Sequence, residues 1–239
     1  MPARWNIFAD IATIVVTPRC LICGCKVMAT MNRICPRCRL RIPLTNYWRV
    51  EENPVKRRFD GMLILEQGSA FLFYRAGTIW QRLIHRFKYE GRWRIAHHLG
   101  LWYGAELSES GLYADIDVII PIPLHFIKGL RRTYNQATYI AEGIAKSMGK
   151  ELDTLSVRRK RNNPSQTKHK GYDRWTNVED IFEVVHPERL RGKHILVVDD
   201  VMTSGATLYS CLKCLSDALP DARLSFAALA VTQYISDVR

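Results

Sequence analysis

The sequence predicts an α/β protein with a mainly parallel sheet flanked by helices, preceded by a small cysteine-rich module. Two observations lead to this fold class. Along residues 61–239, short apolar runs without polar alternation are separated by stretches in which apolar residues recur at helical spacing, as a sheet covered on both faces requires. Residues 19–43 contain five of the seven cysteines and little apolar periodicity. We therefore expect a module at 1–50, a polar linker at 51–60 and a main domain at 61–239.

The composition is that of an ordinary globular protein able to bury a core. Of its 239 residues, 47% are hydrophobic and 24% are charged, and the chain is far larger than a small secreted domain stapled by disulfides. The 35 Lys and Arg residues outnumber the 23 Asp and Glu residues, which leaves a formal charge of +12. Such a charge favours a partner or substrate rich in phosphate.

The apolar stretch at 7–16 is too short to cross a membrane. It contains Asp10, falls short of the roughly 20 residues that span a bilayer, and lacks the cationic start and cleavage site of a signal peptide. We expect a short amphipathic helix that packs on the domain, with peripheral membrane contact as the alternative. The protein is accordingly expected to be cytoplasmic, the alternative being a peripheral position at the inner face of the membrane.

The main domain is expected to alternate strands and helices. Strands are predicted at 70–74, 117–123, 152–157, 181–185, 194–198 and 224–231. Helices are predicted at 79–87, 93–107, 136–148 and 206–219. The helices between the strands supply the crossover connections that parallel pairing needs.

The sharpest signal follows the apolar run His194–Val198. This run leads into two adjacent carboxylates, Asp199 and Asp200, and then into small and hydroxyl-bearing residues that open a helix. In open α/β sheets, ligands bind at this junction, beyond the carboxyl ends of the strands. The alternative is that the two carboxylates only cap a turn, but their repulsion and desolvation would then need compensating partners.

Each residue type at this junction has a chemical use. Gly205 allows a tight turn, and backbone N–H groups at the start of a helix bind phosphate. Carboxylates accept hydrogen bonds from vicinal ribose hydroxyls, directly or through Mg²⁺, which prefers oxygen ligands. The predicted ribose-phosphate site comprises Asp199, Asp200, Met202, Thr203, Ser204, Gly205, Ala206 and Thr207.

A cationic run lies upstream, at 158–174. It holds seven Lys and Arg residues against one acidic residue, Asp173. A mobile cationic lid over an anionic ligand would exclude water and strengthen the contacts with a leaving pyrophosphate. A solvated surface run is the alternative.

The cysteines of the module form two pairs with metal-ligand spacing. Cys20-Leu-Ile-Cys23 and Cys35-Pro-Arg-Cys38 are separated by eleven residues, and two such pairs can wrap a tetrahedral Zn²⁺ in a zinc-ribbon-like module. Cys25 replaces Cys23 if the first pair shifts, and a redox dithiol is the main alternative. The module stays basic through Arg19, Lys26, Arg33, Arg37, Arg39 and Arg41, which permits contact with nucleic acid.

Together these motifs resemble the ComF family of competence-associated, phosphoribosyltransferase-like proteins. The segment His194–Thr207 is similar to the phosphoribosyl-pyrophosphate signature of type I phosphoribosyltransferases. The likeness extends from about Cys20 to Val231, and its further segments are Lys88-Tyr-Glu-Gly91, Ile120-Pro-Ile-Pro123, Arg131-Arg132-Thr-Tyr-Asn-Gln136 and Arg159 through Asn177. The resemblance implies a type I phosphoribosyltransferase-like fold that binds phosphoribosyl pyrophosphate together with Mg²⁺.

The resemblance also implies supporting residues outside the signature. Pro121–Pro123 corresponds to the segment where such folds bind pyrophosphate, with Arg131, Arg132 and Asn135 as supporting donors. Arg159 and Gln166 correspond to the flexible loop that closes over pyrophosphate in related amidophosphoribosyltransferases. In this loop the chain departs from the usual ComF pattern, because Asn163 stands where the family has Thr.

Two functions follow from the resemblance. The first is a role in DNA uptake and natural competence, with single-stranded DNA and other DNA-uptake proteins as partners. The alternative is an active phosphoribosyltransferase of nucleotide metabolism with an unidentified nitrogen acceptor, for which the sequence assigns no catalytic residue. A single strand would suit a cationic groove with stacking aromatics. Six aromatics could supply one or could belong to the core, namely Trp80, Phe87, Tyr89, Trp93, Trp102 and Tyr103.

Overall fold

A computed structural model of the chain describes residues 18–28, 34–75, 77–124, 134–160 and 181–232. The chain divides into two compact units, Met1–Ile42 and Pro43–Arg239. The boundary between the units therefore lies eight residues before residue 50, the predicted end of the module.

The described part of the smaller unit consists of a tight turn and a single helical turn. Arg19 and Lys26 form an antiparallel bridge, and the backbone N–H of Cys20 donates to the carbonyl of Cys25 at 2.7 Å. Helix α1 (Pro36–Arg39) starts with a proline, which suits the first position of a helix because its fixed φ is already helical. One cysteine pair therefore lies on the turn and the other at the start of α1.

The larger unit is built on a five-stranded parallel sheet. The strands of this unit are β1 (Gly68–Tyr74), β2 (Val118–Pro121), β3 (Glu151–Leu152), β4 (Val157–Arg159), β5 (Phe182–Val184), β6 (His194–Met202) and β7 (Arg223–Thr232). The sheet has the order β1-β7-β6-β2-β3, and β4 and β5 pair antiparallel in a separate sheet. Every pairing in the five-stranded sheet is parallel, which confirms the predicted fold class.

The single strand predicted at 152–157 is wrong, because two short strands take its place. β3 ends at Leu152, and β4 begins at Val157 in the other sheet. Between them, the carboxylate of Asp153 accepts hydrogen bonds from the N–H groups of Leu155 and Ser156, each at 2.8 Å. An aspartate that bonds the backbone ahead of it forms a local turn, so the extended segment is interrupted there.

Helices cover the sheet; four of them lie close to the predicted bounds, and the first was not predicted. They are α2 (Pro54–Arg57), α3 (Ile79–Tyr89), α4 (Trp93–Ser110), α5 (Gln136–Met148) and α6 (Ala206–Ala218). The side chain of Thr78 caps α3 and that of Asn135 caps α5, each by accepting a backbone N–H. Within the described ranges, no helix has both the length and the apolar character needed to cross a membrane.

Residues 51–60, expected as a linker, pack into the larger unit instead. They include α2, and the side chains of Val55 and Phe59 are each 1% exposed within its hydrophobic core. The side chain of Asn53 caps α2 and also donates to the carbonyl of Gly68 at 2.8 Å. Because an apolar pair and a buried amide anchor this segment, it is part of the domain.

Candidate functional site

The acidic pair lies at the carboxyl edge of the sheet, on its central strand. β6 continues through Asp199 and Asp200 to Met202, whereas the sequence analysis ends this strand at Val198. The strand is longer because Val201 and Met202 still pair with β7. Consecutive side chains on a strand point to opposite faces, so the two carboxylates lie on opposite faces of the sheet.

Asp199 lies in a position that disfavours its charged form. Burial first, and the negative charge of Asp200 second, raise the pKa of the Asp199 carboxyl to about 7. The backbone N–H of Asp200 donates to Asp199 Oδ1 at 2.8 Å. This hydrogen bond and the charges of Lys88 and Arg159 act in the opposite direction. Near neutral pH the carboxyl therefore populates both of its forms, and it can accept or donate a hydrogen bond to a ligand.

Arg159, on β4, contributes a positive charge that acts on Asp199. Its guanidinium carbon lies 5.3 Å from the centre of the Phe182 ring, and burial lowers its pKa while the charge of Asp199 opposes that shift. Within the part of the chain that the structure describes, the buried Nε atom of Arg159 has no hydrogen-bond partner. An unsatisfied buried donor costs free energy.

Lys88 also lies at the site, although it is not among the site residues predicted from the sequence. Its ammonium nitrogen lies 2.8 Å from Asp200 Oδ2, and both side chains are 16% exposed. The only sequence signal is the position of Lys88 in the Lys88–Gly91 segment. The sequence pattern around Lys88 does not predict its contact with Asp200, because the two residues are far apart along the chain.

The loop after β6 leads directly into α6. Gly205 has φ +88°, and a Cβ there would lie 3.0 Å from the Met202 Cε atom, so both the turn and the space favour glycine. The carbonyl of Ser204 accepts from Arg58 Nε at 3.1 Å, which holds the loop against α2. Thr203 and Thr207 are exposed. The loop therefore presents hydroxyls and the N-terminal N–H groups of α6 to solvent.

Asn135 has a structural role at the start of α5. Its side-chain oxygen accepts the N–H of Ala137 at 3.1 Å, and its Nδ2 donates to the carbonyl of Ile122 at 3.0 Å. The amide therefore links α5 to the Pro121–Pro123 segment that follows β2. Three other residues predicted for the site, Arg131, Arg132 and Gln166, lie outside the described residues, as does most of the cationic run.

A cavity of about 440 Å³ opens beside the acidic strand. Its lining includes His85, Lys88 and Tyr89 from α3, together with Val201 and Thr203. The rings of His85 and Tyr89 lie 4.6 Å apart. The cavity thus joins the loop after β6 to an aromatic and cationic wall.

The six candidate stacking aromatics divide by burial. Trp80, Phe87 and Tyr103 are core residues, with exposures of 4%, 0% and 0%. Tyr89 and Trp93 are 59% and 38% exposed, and the guanidinium carbon of Arg94 lies 5.3 Å from the Trp93 ring. The three core residues are therefore excluded from a stacking surface, and Trp102 is half-buried.

Four of the five cysteines of the smaller unit lie close enough together to hold a zinc ion. The Sγ atoms of Cys20, Cys23, Cys35 and Cys38 all lie within 4.8 Å of one another, and those of Cys23 and Cys35 are 3.7 Å apart. A tetrahedron of sulfurs at about 2.3 Å from Zn²⁺ has edges of roughly 3.8 Å. The donor set therefore fits a zinc ion. Cys25 is exposed and lies outside this group.

The surroundings of Cys23 and Cys35 lower the pKa of these two thiols, whereas burial raises the pKa of Cys38. A hydrogen bond from the backbone of Cys25 is the main cause that lowers the pKa of Cys23 to about 6. Thiolate is the form of cysteine that binds metal. The four thiols could accordingly hold a zinc ion.

Comparison with known proteins agrees with this geometry. Residues 135–230 match the model of the phosphoribosyl transferase domain family, a range that contains both the acidic strand and the loop after it. The competence protein ComFC of Bacillus subtilis is 27% identical over 82% of this chain and 77% of its own length. The chain is therefore similar to a ComF competence protein, and its residues 135–230 resemble a phosphoribosyl transferase domain.

Other matches cover less of the chain. The DNA utilization protein YhgH of Shigella flexneri is 28% identical over 53% of this chain. The match spans 56% of YhgH, about half of that protein. Among solved structures, an adenine phosphoribosyltransferase aligns with a TM-score of 0.39 and 15% identity, covering 64% of this chain and 76% of that chain.

Proposed function

We propose that Asp199, Asp200 and the loop from Met202 to Thr207 bind a ribose 5-phosphate, with phosphoribosyl pyrophosphate as the favoured ligand. The observation that carries this proposal is the junction of two carboxylates with a glycine-started helix at the carboxyl edge of a parallel sheet. The carboxylates suit ribose hydroxyls, and the positive end of α6 suits the 5-phosphate. The positive charge of Arg159, which acts on Asp199, suits the pyrophosphate.

Magnesium and zinc have different positions in this proposal. Mg²⁺ prefers oxygen ligands and keeps several waters, so it would enter with the pyrophosphate and lie near Asp199 and Asp200. Zn²⁺ would be held by Cys20, Cys23, Cys35 and Cys38 and would stabilise the smaller unit. Neither ion needs to take part in a reaction for the ribose-phosphate site to bind its ligand.

The proposed cellular role is the handling of single-stranded DNA during DNA uptake. The names of two relatives, a competence protein and a DNA utilization protein, support this role. The formal charge of +12 also suits a polyanion. Other proteins of DNA uptake are the natural partners of such a function.

An active phosphoribosyltransferase is the second candidate, and the cavity beside Thr203 favours it. A volume of about 440 Å³ leaves room for an acceptor next to the ribose site. In that reaction the acceptor nitrogen forms a bond to the ribose C1 as the bond from C1 to pyrophosphate breaks. The proton of the acceptor nitrogen passes to solvent.

Calorimetric titration tests the proposal. Phosphoribosyl pyrophosphate, ribose 5-phosphate, nucleotides and single-stranded oligonucleotides are each titrated into the full chain, with and without Mg²⁺. Binding of the two ribose phosphates, and its loss when Asp199 and Asp200 are both replaced, is the expected result. Release of pyrophosphate in the presence of a nitrogen compound would instead support the enzyme.

A further inference from the structure

The ion pair between Lys88 and Asp200 is partly withdrawn from water. Each side chain is 16% exposed, with 2.8 Å between Nζ and Oδ2. By contrast, the pair of Lys193 and Glu151 at the other edge of the sheet has exposures of 34% and 46%. Because screening by water weakens the exposed pair more, Lys88 compensates the charge of Asp200 more effectively than a surface lysine would.

The backbone around Lys88 is anchored to the same part of the fold as the site. The carbonyl of Lys88 accepts from Gln136 Nε2 at 3.3 Å, and the side chain of Gln136 is 1% exposed. The hydroxyl of Tyr134 donates to the carbonyl of Phe87. These contacts hold the end of α3 against the start of α5, so the ammonium is delivered to Asp200 from a fixed backbone.

The charge of Asp200 is therefore already balanced by the protein. Lys88 pairs with Asp200, and the positive charges of Lys88 and Arg159 both act on the neighbouring Asp199. A divalent cation is attracted by uncompensated carboxylates, and at this pair the compensation comes from the protein itself.

We infer that Lys88 is the resident cation of the acidic pair. Its ammonium neutralises Asp200 and holds it as an acceptor for ribose hydroxyls, so that a ribose 5-phosphate binds here without a divalent cation. Mg²⁺ then accompanies only the pyrophosphate of phosphoribosyl pyrophosphate. This inference rests on the proposed ribose-phosphate site and assigns Lys88 as a positioning residue within it.

The first test measures the cation dependence of ribose 5-phosphate binding, since this ligand lacks the pyrophosphate that chelates Mg²⁺. The full chain should bind it with affinities that agree within about threefold in EDTA and in Mg²⁺. Lys88→Met should lose about tenfold or more in EDTA and regain affinity when Mg²⁺ is added. Lys88→Arg should keep the cation-independent behaviour, and Lys193→Met is the matched control for removing a lysine–carboxylate pair.

The second test needs no ribose phosphate. Mn²⁺ binding is followed by electron paramagnetic resonance in the unliganded protein. Lys88→Met should gain a Mn²⁺ site that the wild-type chain lacks, and adding Asp200→Asn should remove it again.

The outcomes separate the inference from the proposed function. If the wild-type chain binds no ribose phosphate under any condition, the proposed function fails. If it binds only with Mg²⁺, or if Lys88→Met binds equally well in EDTA and gains no Mn²⁺ site, the resident-cation role of Lys88 is wrong. Tighter binding by Lys88→Met in EDTA would also overturn it, because Lys88 would then block the site.

Discussion

Gly100 on α4 lies against the carbonyl of Ile140 on α5. A Cβ added at Gly100 would lie 2.3 Å from the Ile140 oxygen, and one at Gly143 would lie 2.3 Å from the oxygen of His97. The two helices thus approach closely enough that neither glycine has room for a side chain. The packing of α4 on α5 affects the site because Asn135, which caps α5, donates a hydrogen bond to the Pro121–Pro123 segment.

Gly100→Ala should destabilise the larger unit by about 2 kcal/mol or more, because the helices must separate to admit the methyl group. The free energy of unfolding from urea titration measures the effect. Ser108→Ala, at an exposed position of the same helix, is the control and should change the free energy by less than about 0.5 kcal/mol. Equal stability of the two variants would contradict the observed packing.

Cys35→Ser should remove zinc and unfold the smaller unit while the larger unit stays folded. Structural zinc supplies on the order of 10 kcal/mol to small modules, which the described contacts of this unit do not replace. Metal analysis and protease sensitivity of the Cys20–Ile42 region measure the two effects. Cys25→Ser is the matched control, since Cys25 lies outside the group of four thiols, and it should retain about one zinc ion. Wild-type protein produced with ample zinc and yet free of it would refute the zinc site.

The double replacement Asp199→Ala with Asp200→Ala should abolish ribose-phosphate binding without unfolding the domain. The change removes the hydroxyl acceptors, and it also removes a carboxyl whose pKa burial raises to about 7, so the folded state loses a repulsion. Calorimetry should show an affinity loss of about 100-fold or more, while the domain stays folded, because the relieved repulsion offsets the loss of the partner of Lys88. Asp217→Ala, on the exposed side of α6, serves as the control. Unchanged affinity in the double variant would remove the acidic pair from the site.

Binding of single-stranded DNA should be largely independent of sequence and should weaken steeply with salt, because neutralised phosphates release counterions. Replacing Arg37, Arg39 and Arg41 together with Gln should reduce the slope of log affinity against log salt by about 2.

Trp93→Ala should weaken binding of single strands by roughly 1–3 kcal/mol and binding of duplex by little, since an exposed indole stacks on unpaired bases. Fluorescence anisotropy measures both effects. Absence of binding to single strands at low salt would show that the DNA role is not direct contact.

The stability contributed by His194 should decline as the pH falls. Its side chain is 1% exposed, with Nδ1 3.0 Å from Asp115 Oδ1 and Nε2 2.8 Å from Ser225 Oγ. Burial is the main cause that lowers its pKa, the charge of Arg223 lowers it too, and Asp115 and Glu66 oppose the shift.

Because the folded-state pKa lies below the unfolded value of about 6.5, the unfolded chain takes up the proton first. The contribution is therefore fully present above pH ~6.5 and is lost as the pH falls through the folded pKa. The difference in stability between wild type and His194→Gln should shrink as the pH falls from 7.5 to 5. A difference that stays constant over this range would refute the assignment.

Much of the fold was readable from local sequence. Buried parallel strands must be continuous apolar runs, and the crossover helices must repeat apolar residues at helical spacing, so β6, β7, α5 and α6 lie where they were predicted. The acidic pair, the loop after β6 and the two cysteine pairs could also be recognised in the sequence, because the residues of each motif are close together along the chain.

The tertiary structure decided the features that depend on distant partners. The turn at Asp153 divided one predicted strand between two sheets, and Val55 and Phe59 converted an expected linker into core. Trp80 is buried and Trp93 is partly exposed, although both are tryptophans near arginines in the sequence. The ion pair of Lys88 with Asp200 likewise depends on residues that are distant in the sequence. Periodicity reports which face of an element is apolar, but the partner that covers a face, or neutralises a charge, is fixed only when the chain folds.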